Sequence, residues 1–219
     1  MATVEPRPPL QPGEPAPDFV LPAVDQDRTV SLADYRGRTP VLLALMRGLY
    51  CAFCRRHIAH LAGTRRKLGA LGIDVLAVVA TAPERARLYY RFRPVAVPLA
   101  ADPELTTHRA YGLPNCAPTP QIWQVIGSKY AELARDLSIP ATDMAAIQEA
   151  LAHRDGYEAV AADQDDIQRH RIQFVGQFLI DRGGIIRWTN IEGAKEDLAG
   201  MERFPTDEEV LAAAQRLKD

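Results

Sequence analysis

Two cysteines separated by two residues are the part of the sequence best suited to chemistry. Cys51 and Cys54 follow an apolar run at residues 40–46 and stand where a helix is predicted to begin. The free N–H groups at the start of a helix favour a thiolate, and two thiols at this spacing can close a disulfide. The pattern therefore favours a redox-active dithiol over two buried, inert cysteines. Nearby positive charge comes from Arg47, Arg55 and Arg56.

The segments around the cysteines predict a β-α-β unit. Residues 40–46 are apolar throughout, as expected of a strand buried on both faces of a sheet. Gly72 is expected to close the helix that follows, and residues 73–80 form a second apolar run of strand length. The cysteine pair should therefore lie between a central strand and the helix that it enters. The apolar positions of this helix recur at helical spacing: Ile58, Leu61, Leu68 and Leu71.

The remaining segments predict an α/β fold in which helices flank a central mixed sheet. An extended proline-rich tail is predicted over residues 1–17 and a single domain over residues 18–219. Helical stretches near 141–152 and 157–169 lack partner strands, so a mostly helical insertion is predicted at about 113–173. Other elements are expected as short strands near 19–21, 28–30 and 95–100, a helix begun by a Thr81–Glu84 capping box, a hairpin of 177–181 with 185–189, and a last helix after Thr206.

Composition and charge exclude several classes of protein. With 47% apolar and 25% charged residues, the sequence is unlike disordered, collagenous or coiled-coil chains. A net charge of −2 gives no basic surface for nucleic acid or anionic membranes. No apolar run approaches the roughly 20 residues of a membrane span, and no secretory signal is visible, so we expect a cytoplasmic protein. Three cysteines are too few for a disulfide scaffold.

Several motifs together resemble the thioredoxin-like superfamily, in particular its peroxiredoxin-like branch of alkyl hydroperoxide reductases and thiol-specific antioxidants. The resemblance implies a thioredoxin-like fold and an oxidoreductase that uses a Cys51–Cys54 pair without a cofactor. It also implies a thiol reductant such as thioredoxin or glutathione, and a peroxide or protein disulfide as substrate. It allows a homodimer. The motifs are Gly13-Glu-Pro-Ala-Pro-Asp-Phe19, Arg47-Gly48 ahead of Cys51-Ala-Phe-Cys54, and Phe178-Leu-Ile-Asp181 followed by Gly184-Ile-Ile-Arg187-Trp188.

The sequence departs from the peroxiredoxin pattern at the positions that hold peroxide. The family's Pro-x-x-x-Thr-x-x-Cys motif aligns so that Arg47 replaces proline, Cys51 replaces threonine and Cys54 takes the peroxidatic position. The family's active-site arginine aligns with Val175, and the cis-proline of thioredoxins aligns with Gly176. Losing such preorganised groups predicts weak peroxidase activity unless Arg47 or Arg171 compensates. Substrate-contacting positions are predicted at Tyr50, Phe53, Val175 and Gly176.

The resemblance leaves two assignments of the cysteines open. In a thioredoxin-like mechanism, Cys51 attacks and Cys54 resolves the mixed disulfide. In a peroxiredoxin-like mechanism, Cys54 attacks peroxide, becomes a sulfenic acid and condenses with Cys51. Both mechanisms end in the same disulfide, so disulfide exchange is expected as the main chemistry, with Arg47 as the third catalytic residue.

Three other interpretations compete with the dithiol enzyme. Cys51, Cys54, His57 and His60 supply four metal ligands, but residues spread round one helix cannot all converge, so no metal is predicted and the histidines are expected to face solvent. Cys116 is expected to be an unreactive thiol, with a resolving role as the alternative. A redox-regulated binding module, with the insertion as its partner surface, would lack turnover.

Overall fold

The computed structural model of the 219-residue chain describes residues 8–140, 143–194 and 197–217. Short 3-10 helices lie at Leu32–Asp34 and Asp197–Gly200. The strands are β1 (Val20–Pro22), β2 (Thr29–Ser31), β3 (Val41–Met46), β4 (Asp74–Val79), β5 (Leu99–Ala101), β6 (Asn115–Cys116), β7 (Ile172–Gln173), β8 (Gly176–Ile180) and β9 (Ile186–Ile191). The α-helices are α1 (Ala52–Gly69), α2 (Pro83–Phe92), α3 (Thr106–Ala110), α4 (Pro120–Asp136), α5 (Met144–Asp155), α6 (Ala161–His170) and α7 (Asp207–Gln215).

A five-stranded sheet in the order β5-β4-β3-β8-β9 forms the centre of the fold. Strands β3, β4 and β5 run parallel, whereas β8 is antiparallel to both β3 and β9. All six residues of β3 are buried, because alternate side chains enter apolar clusters on opposite faces of the sheet. The predicted mixed sheet flanked by helices is therefore confirmed, with the predicted strand at 40–46 in its middle.

The central strand delivers the cysteine pair to the start of α1. Strand β3 ends at Met46, a short loop follows, and Cys51 occupies the N-cap position of α1. Ile58, Leu61 and Leu68 are buried along α1, as their helical spacing predicts. The turn after α1 includes Gly72 at φ +73°, a backbone angle that glycine adopts without strain. The β-α-β unit predicted from the sequence is thus present.

The predicted insertion contains three helices, of which sequence analysis missed α4. Helices α5 and α6 cover most of the two predicted helical stretches, although residues 141 and 142 lie outside the described residues. Helix α4 begins at a standard cap, since the Thr119 hydroxyl accepts the N–H of Ile122 and Pro120 starts the helix. Strands β6 and β7 pair antiparallel at the base of these helices. The insertion packs on the start of α1 through Ala52, Ile122, Ile126, Tyr130, Ile147 and Leu151.

The predicted extended tail instead turns at Pro12 and Gly13, and it packs on the domain from residue 10 onward. Leu10 and Ala16 are 2% and 4% exposed. Backbone N–H groups of this segment donate to the sheet hairpin and to the loop after α3: Gly13 to Ile186, Ala16 to Gly184, and Leu10 to Tyr111. The compact part of the chain therefore begins before Phe19, because the apolar side chain of Leu10 packs in the core. Residues 1–7 lie outside the described residues.

The capping box predicted at Thr81–Glu84 does not form. Ala82 is the N-cap of α2, and it has no side-chain hydrogen bond there, while Pro83 begins the helix. The Thr81 hydroxyl instead accepts the N–H of Leu49 in the loop before Cys51, at 3.0 Å. This tertiary contact replaces the local cap and ties the loop to the end of β4.

No helix among the described residues is long and apolar enough to cross a membrane.

The packing of the N-terminal segment predicts a measurable contribution to stability. Replacing Leu10 with Ala leaves a cavity in the core and is expected to lower the free energy of unfolding by about 2–5 kcal/mol. Urea denaturation followed by circular dichroism measures the change. Gln11→Ala, an exposed neighbour, is the matched control and should stay within about 0.5 kcal/mol of wild type. Equal effects of the two substitutions would show that the segment is not stably docked.

Candidate active site

The N-cap position of α1 brings the two thiols together. The Cys51 sulfur accepts the backbone N–H of Cys54 at 3.1 Å, and the two sulfur atoms lie 2.7 Å apart as free thiols. Cys51 is 6% exposed and Cys54 is 1% exposed. The helix start thus supplies a hydrogen bond to one sulfur only, and that sulfur is the more accessible of the two.

Arg47 lies between the dithiol and two buried carboxylates. One terminal nitrogen, Nη1, is 3.7 Å from the Cys51 sulfur and 2.8 Å from Glu202 Oε2. The other, Nη2, donates to both carboxylate oxygens of Glu192 at 2.6 Å, and Nε donates to the Gln173 carbonyl. All three guanidinium nitrogens are therefore engaged, so the arginine is held rigidly beside the sulfur.

Sequence analysis missed both glutamates, which come from the chain beyond β9. Glu192 is 2% exposed, and its Oε1 also accepts the backbone N–H of Glu202. Glu202 adopts a left-handed backbone conformation at φ 59°, which is uncommon for a residue other than glycine. They lie 145 and 155 residues from Arg47 in sequence and belong to no recognisable motif. Only the fold brings these carboxylates to the cysteine pair.

The surroundings of the two thiols push their pKa values apart. Burial opposes ionisation of Cys51, but the hydrogen bond with the Cys54 thiol, the charge of Arg47 and the Cys54 N–H lower its pKa to about 6. Burial raises the pKa of Cys54 well above the usual thiol value, and the neighbouring Cys51 raises it further. Cys51 is therefore the thiolate of the pair near neutral pH, and Cys54 keeps its proton.

Glu202 shares the excess negative charge of this cluster. Burial raises its pKa to about 8, despite the opposing effect of Arg47, and both Cys51 and Glu192 raise it as well. One arginine cannot stabilise two carboxylates and a thiolate at once. A proton consequently remains on Glu202 near neutral pH while Cys51 is ionised.

A pocket of about 120 Å³ opens on Cys51 between α1 and the insertion. Its walls are mainly apolar, and Trp123 at its edge is 42% exposed. Arg171, which sequence analysis considered as a possible substitute for the family arginine, also lines it. The insertion thus provides most of the wall beside the Cys51 sulfur. The side chains that line this pocket include Tyr50, Trp123, Ile126, Tyr130, Ile167 and Arg171.

The four predicted substrate-contacting positions separate into two groups. Tyr50 lines the pocket, whereas the ring of Phe53 packs edge-on against Tyr130 with centroids 4.9 Å apart. Val175 and Gly176 are buried where β8 begins. The N–H of Val175 donates to Glu192 Oε2 at 2.9 Å, so this position supports the carboxylate that holds Arg47. Substrate contact at these four positions stays a prediction.

The two histidines of α1 have partners other than the cysteines. His57 is buried, contrary to the expected solvent exposure, because its ring stacks on Phe204 and its Nε2 lies 2.6 Å from the Gln177 side-chain nitrogen. Burial lowers its pKa to about 3, so the ring is neutral and accepts this hydrogen bond. His60 is exposed and lies 3.3 Å from Asp207. No group of three or more candidate ligands occurs among the described residues.

Cys116 lies on β6 at the base of the insertion. It is partly exposed, and its sulfur lies 3.9 Å from the Ile172 carbonyl oxygen. Burial raises the pKa of this thiol, with Arg171 and Arg47 opposing the rise. Cys116 is therefore less ionised than Cys51 at neutral pH.

The charge cluster predicts unequal effects of two substitutions on the ionisation of Cys51. Arg47→Gln removes the cation beside the sulfur and should raise the midpoint of alkylation against pH by about one unit or more. Glu202→Gln replaces a carboxyl group that is already protonated where Cys51 ionises, so it should leave this midpoint within about half a unit of wild type. Iodoacetamide rates at Cys51, resolved by mass spectrometry between pH 4 and 9, measure both changes.

Arg171→Gln, at the edge of the same pocket, is the matched control for Arg47→Gln and should shift the midpoint much less. Circular dichroism checks folding, because Arg47→Gln leaves Glu192 buried without its cation. A shift in Glu202→Gln as large as that in Arg47→Gln, or equal shifts in the two arginine variants, would contradict this account of the thiolate.

Several solved structures share the fold at low sequence identity. The 2-Cys peroxiredoxin of Plasmodium vivax superposes with a TM-score of 0.60 and 14% identity over 96% of this chain and 83% of its own. Peroxidoxin BcpB of Mycobacterium tuberculosis gives 0.56 and 11%, covering 95% and 97%. A Chlorobium tepidum protein described as the thiol:disulfide interchange protein DsbE gives 0.53 and 21%, covering 94% and 99%. The thioredoxin-like fold predicted from the sequence is confirmed.

The family match covers most of the chain. Residues 12–189 match the AhpC/TSA family, and no curated protein sequence matches significantly. The matched region includes Arg47, both cysteines of the pair and the whole insertion, whereas Glu192 and Glu202 lie beyond it. The predicted peroxiredoxin-like oxidoreductase is thereby confirmed at the level of family. A thioredoxin-like fold, a dithiol at the start of its first long helix and this match together show that the chain belongs to the AhpC/TSA family.

Proposed function

We propose that the chain is a thiol-disulfide oxidoreductase in which Cys51 attacks the substrate and Cys54 resolves the mixed disulfide. The observation that carries this assignment is the difference between the two thiols. Cys51 is the more exposed sulfur, it lines the pocket, and its pKa is lowered to about 6, whereas burial raises the pKa of Cys54. The thiolate is the nucleophile in disulfide exchange, so attack begins at Cys51.

The reaction proceeds in two exchanges that oxidise the dithiol and reduce the substrate by two electrons. The Cys51 thiolate attacks one sulfur of the substrate disulfide, a mixed disulfide forms, and the other substrate sulfur leaves as a thiolate. Cys54 then loses its proton and attacks the Cys51 sulfur, which releases the second substrate thiolate and closes the Cys51–Cys54 disulfide. A thiol reductant, such as thioredoxin or glutathione, returns the pair to the dithiol form.

Glu202 is suited to carry the protons of both exchanges. It holds a proton while Cys51 is a thiolate, because Cys51 and Glu192 both raise its pKa. This proton can pass to the first leaving thiolate. Once Cys51 is in the mixed disulfide, its negative charge is gone and the Glu202 pKa falls, so the carboxylate can accept the proton of Cys54.

Peroxide reduction is the second candidate, and family membership favours it. There, a thiolate attacks the O–O bond, an alcohol or water leaves, the sulfur becomes a sulfenic acid, and the second thiol displaces water to form the disulfide. The bonds of Arg47 favour a lower rate, because Gln173, Glu192 and Glu202 occupy its N–H groups except the one that faces the Cys51 sulfur. Disulfide exchange does not depend on free N–H groups of Arg47.

The proposal includes a protein or small-molecule disulfide as substrate and a cytoplasmic setting. Three cysteines are too few for a disulfide scaffold, as is usual where reductants keep thiols reduced. The apolar wall around Cys51 suits a bulky organic disulfide better than a small hydrophilic oxidant.

The fold is compatible with a homodimer. Gel filtration of the reduced and oxidised protein distinguishes a homodimer from a monomer.

Mild oxidation is expected to produce a reversible disulfide between Cys51 and Cys54, because their sulfur atoms already lie 2.7 Å apart. Peptide mapping by mass spectrometry after oxidation and alkylation identifies the bridge. Cys116 should remain free to alkylate, and Cys116→Ser should oxidise like wild type. A bridge from Cys116 to either residue, with no Cys51–Cys54 bridge, would refute the dithiol assignment.

Substitution of each cysteine is expected to separate the two candidate reactions. Cys51→Ser should lower the rate of disulfide reduction by about 1,000-fold or more, because the attacking thiolate is lost. Cys54→Ser should instead accumulate a mixed disulfide between Cys51 and the substrate, which mass spectrometry detects. Cys116→Ser is the matched control and should retain wild-type rates. Wild type should reduce a protein disulfide faster than hydrogen peroxide at equal concentration.

Two outcomes would overturn this assignment. Fast peroxide consumption that survives Cys51→Ser and disappears in Cys54→Ser would make Cys54 the peroxidatic residue. An absence of turnover with either oxidant, combined with a ligand gained or lost on oxidation, would favour a redox-regulated binding module.

A further inference from the structure

A second pocket, of about 370 Å³, lies between α1, the end of α2 and the end of α5. Four arginines line it, and they come from three different elements: Arg55 and Arg56 from α1, Arg93 just after α2, and Arg154 from α5. The carboxylate of Asp155 lies among them. The pocket exists only because the insertion brings the end of α5 to the flank of α1.

Asp155 neutralises only part of this positive charge. Its Oδ2 pairs with Arg55 at 3.0 Å and its Oδ1 with Arg56 at 2.7 Å. Among the described residues, Arg93 and Arg154 have no carboxylate partner. Arg93 donates to the Asp155 and Phe92 carbonyls, and Arg154 donates to the Leu137 carbonyl. The partial negative charge at the C-terminus of α5, about half a unit, offsets a little more. The lining therefore keeps a net charge of about +2.5 by this count.

Polar atoms at this pocket are buried without hydrogen-bond partners. Among the described residues these atoms are Arg55 Nε, Arg56 Nε and the hydroxyl oxygen of Tyr90. Arg55 is 5% exposed and Tyr90 is 8% exposed. Buried donors are normally paired, so the two Nε atoms show that Asp155 satisfies Arg55 and Arg56 only in part.

We propose that this pocket binds a small anion carrying a diphosphate group. A diphosphate carries about three negative charges or more, which matches the uncompensated charge of the lining. Its tetrahedral phosphates present oxygens in many directions, whereas a carboxylate presents two oxygens in one plane. Guanidinium groups that converge from three elements can therefore form more hydrogen bonds to a diphosphate than to a carboxylate. The apolar side of the pocket, formed by Pro94, Val95 and Ala59, accommodates an organic group attached to the diphosphate.

The site contacts the redox centre through one side chain but does not depend on the proposed reaction. Arg55 follows Cys54 in sequence, and its Nη1 donates to the Leu49 carbonyl at 2.6 Å in the loop before Cys51. Anion binding is measured separately from turnover, so either proposal can fail without the other.

Calorimetric titration of the full-length reduced protein with pyrophosphate, at about 50 mM salt, tests the site. Wild type should bind saturably with a Kd below about 1 mM. Arg93→Gln and Arg154→Gln should each raise the Kd about tenfold or more, because each removes charge-assisted hydrogen bonds. Asp155→Asn should lower the Kd, since it removes the competing carboxylate. A purely structural role of Asp155 would not tighten binding.

Arg66→Gln is the matched control, because Arg66 is an exposed arginine on α1 that does not line this pocket. It changes the net charge equally and should leave the Kd within about twofold of wild type. Thermal melts confirm that the variants fold. The proposal is wrong if pyrophosphate fails to bind saturably, if Arg66→Gln weakens binding as much as Arg93→Gln, or if Asp155→Asn fails to tighten binding. Tighter binding of citrate than of pyrophosphate would overturn the assignment to phosphate.

Discussion

The ion pairs of Arg47 connect parts of the chain that are far apart in sequence. The arginine stands just after the central strand, Gln173 belongs to β7, and Glu192 and Glu202 come from the segment beyond β9. A buried charge is costly unless it is fully paired, so each partner needs the others in place. The position of the insertion, the end of the sheet and the charge beside Cys51 are consequently linked through one guanidinium group.

The same arrangement determines the chemistry available to the cysteine pair. Arg47 lowers the pKa of both thiols and contacts the Cys51 sulfur, but it is shared with two carboxylates. Burial and the neighbouring Cys51 raise the pKa of Cys54. Ionisation is therefore confined to one of two nearly adjacent sulfurs. The cysteine pair lies at a helix start, and Arg47 is held beside it by bonds to Gln173, Glu192 and Glu202.

Features encoded locally could be predicted from the sequence. Three such features depend only on neighbouring residues, and all appear in the structure. They are the apolar runs of β3 and β4, the helical spacing of Ile58, Leu61 and Leu68, and the spacing of the two cysteines. Arg47 could be chosen as a site residue because it lies close to Cys51 in sequence. The helix α4 carried a local signal too, at Thr119 and Pro120, which was overlooked in a stretch rich in proline.

Features that depend on tertiary contacts could not be predicted in this way. Thr81 has the pattern of a helix cap, yet its hydroxyl bonds to Leu49, because a buried N–H in the loop before the active site needs an acceptor. Glu192 and Glu202 look like ordinary surface glutamates until the fold buries them. Leu10 likewise sits among prolines, and only the shape of the core shows that its side chain has a place there.

The long sequence separations within the site have a consequence for the newly made chain. Arg47 meets Gln173, Glu202 and Glu192 across 126, 155 and 145 residues. At the usual rate of about 5–20 residues per second, synthesis of those residues follows that of the cysteines by roughly 6–30 s. During that interval the nascent dithiol has neither its paired arginine nor its pocket. The fold therefore gives these thiols no protection until synthesis is nearly complete.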